Sequence, residues 1–238
     1  MKIKFILFIS SLTLTLSGYS QVNESAYNKM VNIAIMNEQF LEQYGISEAD
    51  IKNIEGSPYY KDNFQIGGIY NAEGVVVSGI PMRYNIFADE IEMRPSSNPD
   101  DTTIKSLVKS TDIFAKIGTD NFIYILNTNS GDKSGYFSVL LDGTYFDLYK
   151  KSTVNYIKKK FAETNYQKDQ PAKFIKKEVF YLVDNKGVFY ELPSKRKSFI
   201  SLFKQKSKEL ESYIKDNKLN ITKESDMIKI VSYYNSIL

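Results

Sequence analysis

The chain of 238 residues has no cysteine, no histidine and no tryptophan. Without cysteine it has no disulfide, no thiol nucleophile, no thiolate metal site and no dithiol redox chemistry. The lipid-anchored form of an exported bacterial protein, which needs a cysteine at the cleavage point, is excluded as well. Without histidine the Ser-His-Asp arrangement, imidazole general bases and most zinc or copper sites disappear together. Without tryptophan the strongest aromatic platform for a sugar ring is missing, although 18 Tyr and 15 Phe remain. After the first twenty positions no apolar run approaches the ~20 residues of a membrane-spanning helix. Few enzyme classes survive, and the residues assign no catalytic group, no metal and no cofactor.

What is there begins with an address. Lys2 and Lys4 precede an apolar run from Phe5 to Leu16, and Gly18-Tyr19-Ser20 sets small residues at the −3 and −1 positions before Gln21. This is the pattern of a secretory signal peptide cleaved between Ser20 and Gln21. Cleavage there leaves a mature chain of 218 residues, enough for one large domain or a domain with an appendage. At 42% hydrophobic and 25% charged, the composition is that of a globular protein. Secreted eukaryotic domains usually carry disulfides, so a Lys-, Asn-, Ile- and Tyr-rich exported chain without them points to a bacterial periplasm.

Four segments are expected: a signal peptide over 1–20, a helical lead-in over 21–55, an antiparallel β domain over 56–193 and a helical tail over 194–238. Within the lead-in, Met30, Ile33, Ala34, Phe40 and Leu41 recur near a 3.6-residue period, predicting one helix over 23–44 stopped by Gly45. Ser47 is the expected N-cap of a short second helix. Strands are expected at Phe64–Ile66 with Ile69–Tyr70, Val75–Val77, Met82–Ile86, Glu90–Met93, Phe122–Leu126, Tyr136–Leu140, Thr144–Leu148, Val154–Ile157, Phe174–Val183 and Val188–Leu192. Ala88-Asp89 and Asp184-Asn185-Lys186-Gly187 read as hairpin turns. Strands following strands through short turns make an antiparallel sheet, and the fold class is α+β: a curved meander or half-barrel of about eight to ten strands. In the tail, Phe199, Phe203, Tyr213, Val231 and Tyr234 are expected to pack on the sheet, with Thr222 capping the last helix. Arg94–Thr103 and Thr164–Pro171 are the candidate linkers.

Charge is uneven. Residues 21–149 hold 9 Lys/Arg and 18 Asp/Glu, whereas 150–238 hold 20 and 10. The clusters Lys158-Lys159-Lys160, Lys176-Lys177 and Lys195-Arg196-Lys197 are candidates for an anionic partner: lipid headgroups, lipopolysaccharide phosphates or an acidic protein. The same residues would equally serve as solvated faces, or pair with the acidic half of the chain. Nucleic acid does not suit an exported protein.

Other constellations are weaker. Asp89, Glu90 and Glu92 invite a carboxylate-based hydrolase, with Glu90 and Glu92 on one strand face. Acidic residues near a hairpin are, however, ordinary. Asn98, Asp100 and Asp101, or Asn127, Asn129 and Asp132, offer oxygen ligands to calcium, but neither set matches the twelve-residue calcium loop. Ser194-x-x-Lys197 fits the S-x-x-K spacing by count alone. The adjacent aromatic pairs Tyr136-Phe137, Tyr145-Phe146, Phe180-Tyr181 and Phe189-Tyr190 put rings on both faces of a sheet. Such a sheet must be covered on both sides, by helices or a partner, or curl around a cavity.

Glu55-Gly56-Ser57-Pro58-Tyr59-Tyr60, then Pro81-Met82-Arg83-Tyr84-Asn85, and the terminal Tyr233-Tyr234-Asn235-Ser236-Ile237-Leu238 resemble a group of uncharacterised exported Bacteroidota proteins. Those share a G-S-P-Y segment, an L-R-Y-N-like strand and a Y-Y-N-S-L-like end. The resemblance spans about residues 55–238 and departs at Ile237. It implies export and a sheet with a Lys-rich helical tail, and carries no activity. The expected function is a non-enzymatic periplasmic or outer-membrane-associated binding or accessory module, with an envelope protein or anionic envelope surface as partner. The alternatives are a carrier or sensor of an apolar or amphiphilic ligand in a half-barrel, and the carboxylate hydrolase.

Overall fold

The computed structural model describes residues 24–33, 38–51, 53–94, 104–126, 134–162 and 168–238. The expected signal peptide with its Ser20/Gln21 cleavage point, both calcium candidates, most of the first linker and part of the second lie outside the described residues. The architecture is α+β, with antiparallel strands followed by C-terminal helices, as the strand and turn pattern predicts.

The chain forms two compact units. The first unit comprises the described residues of 24–119 and of 152–178. It contains helices α1 (Glu24–Lys29), α2 (Glu38–Gln43) and α3 (Glu48–Ile51) and strands β1 (Val31–Ile33), β2 (Gln65–Asn71), β3 (Gly74–Asn85), β4 (Glu90–Met93), β5 (Lys105–Leu107) and β6 (Ile113–Ile117). Their order is β1-β5-β4-β3-β2-β6, through antiparallel pairings. Both β2 and β3 are largely apolar and centrally placed, and Ile69, Ile80, Met82, Ile91 and Met93 are fully buried.

The single helix expected over 23–44 is not found. Strand β1 interrupts it, with Val31 opposite Leu107 and Ile33 opposite Lys105. A β-branched pair beside an open sheet edge gains a ladder there, which overrides a weak helical period. Strands β5 and β6 are additions to the expected set. The expected Val75–Val77 and Met82–Ile86 strands are the two ends of one long strand, β3.

The second unit comprises Asp120–Lys151 and Val179–Leu238. It holds β7 (Asp120–Ile125), β8 (Gly135–Leu141), β11 (Phe189–Glu191), and helices α4 (Arg196–Leu202), α5 (Ser207–Asp216) and α6 (Glu224–Ile237). It also holds the start of β9 (Phe146–Ile157) and the end of β10 (Lys173–Asp184), whose other portions belong to the first unit. Thr144 precedes β9, which merges two expected strands into one.

The two-sided aromatic pattern is resolved here. On one side Leu148 and Leu182 are buried beneath Phe199, Phe203, Leu210, Ile214, Met227, Ile230, Val231 and Tyr234 of the helices. On the other, Phe137, Tyr181, Val183 and Phe189 form a second cluster with ring centroids 5.5 to 5.9 Å apart. Tyr145 and Tyr190 are left exposed. Tyr213 does not join the core with Phe199 and Phe203; it stacks on Tyr233 at 3.8 Å. Thr222 is not the cap of α6, because the N-cap is Lys223. Its hydroxyl turns back to donate to Asn220 Oδ1 at 2.8 Å.

The terminal Y-Y-N-S motif holds α6 to the sheet. Asn235 Oδ1 accepts from the backbone N–H of Tyr145 at 2.8 Å and Phe146 at 3.0 Å. Its Nδ2 donates to the carbonyls of Phe146 and Val231, both at 2.9 Å. Gly143 makes room for this clamp, since a Cβ there would lie 2.6 Å from Asn235 Nδ2 and 2.2 Å from the Phe146 carbonyl. Replacing Asn235 with Ala leaves two backbone N–H groups without their acceptor and should cost about 2–3 kcal/mol. Urea denaturation checks this; a loss below about 0.5 kcal/mol would mean water serves those groups as well.

Candidate functional site

The other two motifs, far apart in sequence, meet in the first unit. In the β3–β4 hairpin Arg83 lies opposite Glu92 and Asn85 opposite Glu90. Alternation along each strand puts these four polar residues on one face, and Met82, Tyr84, Ile91 and Met93 on the other. Asn85, Glu90 and Glu92 are all buried. A buried carboxylate needs a cation and hydrogen bonds. Arg83 Nε donates to Glu92 Oε2 at 2.7 Å and Asn85 Nδ2 to Glu92 Oε1 at 2.7 Å.

The segment from Glu55 to Phe64 covers this polar face. Arg83 Nη2 donates to the Tyr59 hydroxyl at 2.8 Å and Nη1 to the Asp62 carbonyl at 3.2 Å. Its guanidinium carbon lies 3.6 Å from the Tyr59 ring centroid and 4.4 Å from that of Phe64. The Pro58 carbonyl accepts from the N–H groups of Ile86 and Phe87, at 2.9 and 3.1 Å. Ser57 hydrogen-bonds Asp62 and its Oγ accepts from Tyr59 N–H at 3.1 Å. Gly56 is required twice over: its φ is +83°, and a Cβ would lie 2.5 Å from the Phe174 carbonyl.

Burial, reinforced by the nearby Glu92 carboxylate and opposed by Arg83, pushes the Tyr59 phenol up to about 12. In the second unit burial and the Asp147 carboxylate raise Tyr149 as well. The tyrosine chemistry thus serves neutral, protonated contacts. Glu92 is committed to Arg83 and Asn85, and Asp89 Oδ1 accepts from the Tyr84 hydroxyl at 2.6 Å. Of the three carboxylates that suggested a hydrolase, Glu92 sits within this network, Glu90 is buried on the same strand face, and Asp89 bonds Tyr84 of the opposite face.

The basic clusters fall on both units. Lys158, Lys159, Lys160, Lys176 and Lys177 lie in the first unit, on the two-stranded ribbon formed by the end of β9, the start of β10 and the residues beyond them. All five are exposed. Lys159 Nζ is 3.8 Å from Asp169 with both side chains about half exposed, a pair worth little in water. Lys176 Nζ donates to the Tyr60 carbonyl at 3.3 Å. Lys195, Arg196 and Lys197 are exposed in the second unit, at the start of α4. There Arg196 lines a groove of about 560 Å³ with Lys208, Glu211, Ser212 and Lys215 of α5. Residues i, i+3, i+4 and i+7 of a helix share a face, which is why these four line it together. Lys208 and Lys215 were detectable in the sequence by that spacing, but isolated lysines on a helix carry no signal of their own.

No protein-family model, no curated protein and no solved structure matches the chain.

Replacing Arg83 with Met strands the Glu92 carboxylate in a buried site and should cost on the order of 3–5 kcal/mol. The double replacement Arg83→Met with Glu92→Leu should recover much of that loss. Equal losses in denaturant for the single and the double variant would show that the two residues are not coupled. The raised Tyr59 pKa sets the sign of the alkaline response: its contribution is whole below pH ~10 and is lost as pH rises through about 12. Unfolding followed by tyrosine absorbance should therefore steepen across that window, and Tyr59→Phe should flatten it.

Proposed function

We propose that this protein is a non-enzymatic, exported binding or accessory module of a bacterial envelope, periplasmic or at the outer-membrane periphery, that engages an anionic partner through lysine-bearing surface. Export is supported by the pattern of the first twenty residues. The observation that carries the binding reading is the ribbon. Lys158, Lys159, Lys160, Lys176 and Lys177, separate in sequence, are exposed on one two-stranded element. By contrast the suggestive carboxylate Glu92 is buried and tied to Arg83. Clustered exposed cations raise the local potential and favour an anionic surface, with an attraction that salt screens over ~10 Å at 0.1 M.

Purified protein should be retained by an immobilised polyanion at low salt and released as salt rises. Replacing the five ribbon lysines with Gln should abolish retention. Antibody detection in fractionated cells should find the protein in the envelope or periplasmic fraction. Turnover of a cell-wall or glycan substrate that is lost on carboxylate substitution would overturn the proposal, as would wild-type protein that ignores the polyanion at low salt.

A further inference from the structure

The ribbon carries more than charge. Thr153 Oγ1 reaches the Lys177 carbonyl and Lys160 bridges Gln170. Both contacts fit one antiparallel register, which sets Asn155 opposite Ile175 and Ile157 opposite Lys173. Side chains alternate in a strand, and directly opposed residues share a face. The inner face therefore carries Val154, Tyr156 and Phe174, with Lys176 opposite Val154 reaching the Tyr60 carbonyl. Val154 and Phe174 are buried, and the Phe174 ring packs 5.3 Å from Phe87 and 5.5 Å from Tyr156. The outer face carries Ile157, Lys159, Phe161, Lys173, Ile175 and Lys177.

An outer strand face is normally polar, since each exposed apolar side chain forgoes burial. Here Ile157 is 41% exposed, Ile175 43% and Phe161 67%. Exposed apolar residues scattered singly call for no explanation, but these three share one side of one ribbon with three lysines. Residues 152–178 hold seven lysines, no arginine and three acids, Glu163, Asp169 and Glu178. Lysine is a point charge on a flexible apolar stem. It suits a surface of mobile headgroups, which offers no fixed geometry for a bidentate guanidinium to match.

We infer that the outer face of this ribbon docks on an anionic lipid bilayer. Lys159, Lys173 and Lys177 meet headgroup phosphates while Ile157, Phe161 and Ile175 enter the headgroup–acyl boundary. This rests on the anionic-partner reading above and names its source. The inner face, packed on Phe87, holds the outer face in shape without needing the bilayer.

The test is vesicle flotation of the purified protein at low salt. It compares phosphatidylethanolamine–phosphatidylglycerol vesicles with phosphatidylethanolamine–phosphatidylcholine vesicles. Wild type should float with the anionic vesicles only. The combined variant Ile157→Ser, Phe161→Ser and Ile175→Ser should lose at least about tenfold in partition while still unfolding in one cooperative transition, because none of these side chains is buried. Lys159→Gln and Lys177→Gln should each lose about fivefold. Arg196→Gln with Lys208→Gln and Lys215→Gln, in the other unit, should leave flotation unchanged. Wild-type binding by the triple Ser variant overturns the docking, as does loss confined to the Arg196 variant. Retention on a polyanion without flotation overturns the lipid assignment and leaves the anionic-partner reading standing. Failure in both assays removes both.

Discussion

The first unit is organised around a charge that cannot be left alone. Glu92 is 2% exposed on a strand face, so its carboxylate must find a cation and its remaining lone pairs must be satisfied. Hairpin register supplies Arg83 directly opposite and Asn85 on the diagonal. The guanidinium in turn needs acceptors and cover, and Tyr59, the Asp62 carbonyl and the Phe64 ring provide them. That cover can approach only because Gly56 presents no Cβ to the Phe174 backbone. One ion pair thus links the hairpin, the covering segment and the inner face of the lysine ribbon.

The second unit solves a different problem, a sheet with large side chains on both faces. Helices α4 to α6 bury one face with Phe199, Phe203, Ile230, Val231 and Tyr234, and rings from β8, β10 and β11 close on one another across the other. Because an isolated helix gains little from its own propensity, docking depends on specific ties. Asn235 ties α6 to the turn before β9, and Lys150, buried on β9, bonds Glu224 at the start of α6 at 2.6 Å. The same division of labour holds in both units. The hairpin carboxylate Glu92 and the motif residues Arg83, Tyr59 and Asn235 are committed to internal contacts. The surface lysines are what face outward, and this is why the functional proposal rests on them.

Much of the sheet was legible because its signals are local. The turns at Ala88-Asp89 and Asp184–Gly187 depend on the chemistry of adjacent residues. The helical face Met227, Ile230, Val231, Tyr234 repeats at its own period and is buried as that period requires. What was missed depends on partners. Val31–Ile33 is a strand only because Lys105–Leu107 lies beside it, and three residues are too few to show a period of their own. Ile113–Ile117 does alternate, with Ile113, Ala115 and Ile117 buried, yet its five residues are hard to separate from a turn without the neighbouring β2. Thr222 has the chemistry of a cap but spends its hydroxyl on Asn220.

Composition alone settled which chemistries the chain has no residues for: a protein without cysteine, histidine or tryptophan lacks those side chains in any fold. Periodicity and turn chemistry settled the α+β class, because both act over a few residues. Only tertiary structure brought Gly56–Tyr60 against Pro81–Asn85, because that contact runs between segments more than twenty residues apart. Only tertiary structure set Ile157, Phe161 and Ile175 beside Lys159 and Lys177, since which residues share a face across two strands depends on register. Register is decided by the long-range pairing that a linear reading does not contain.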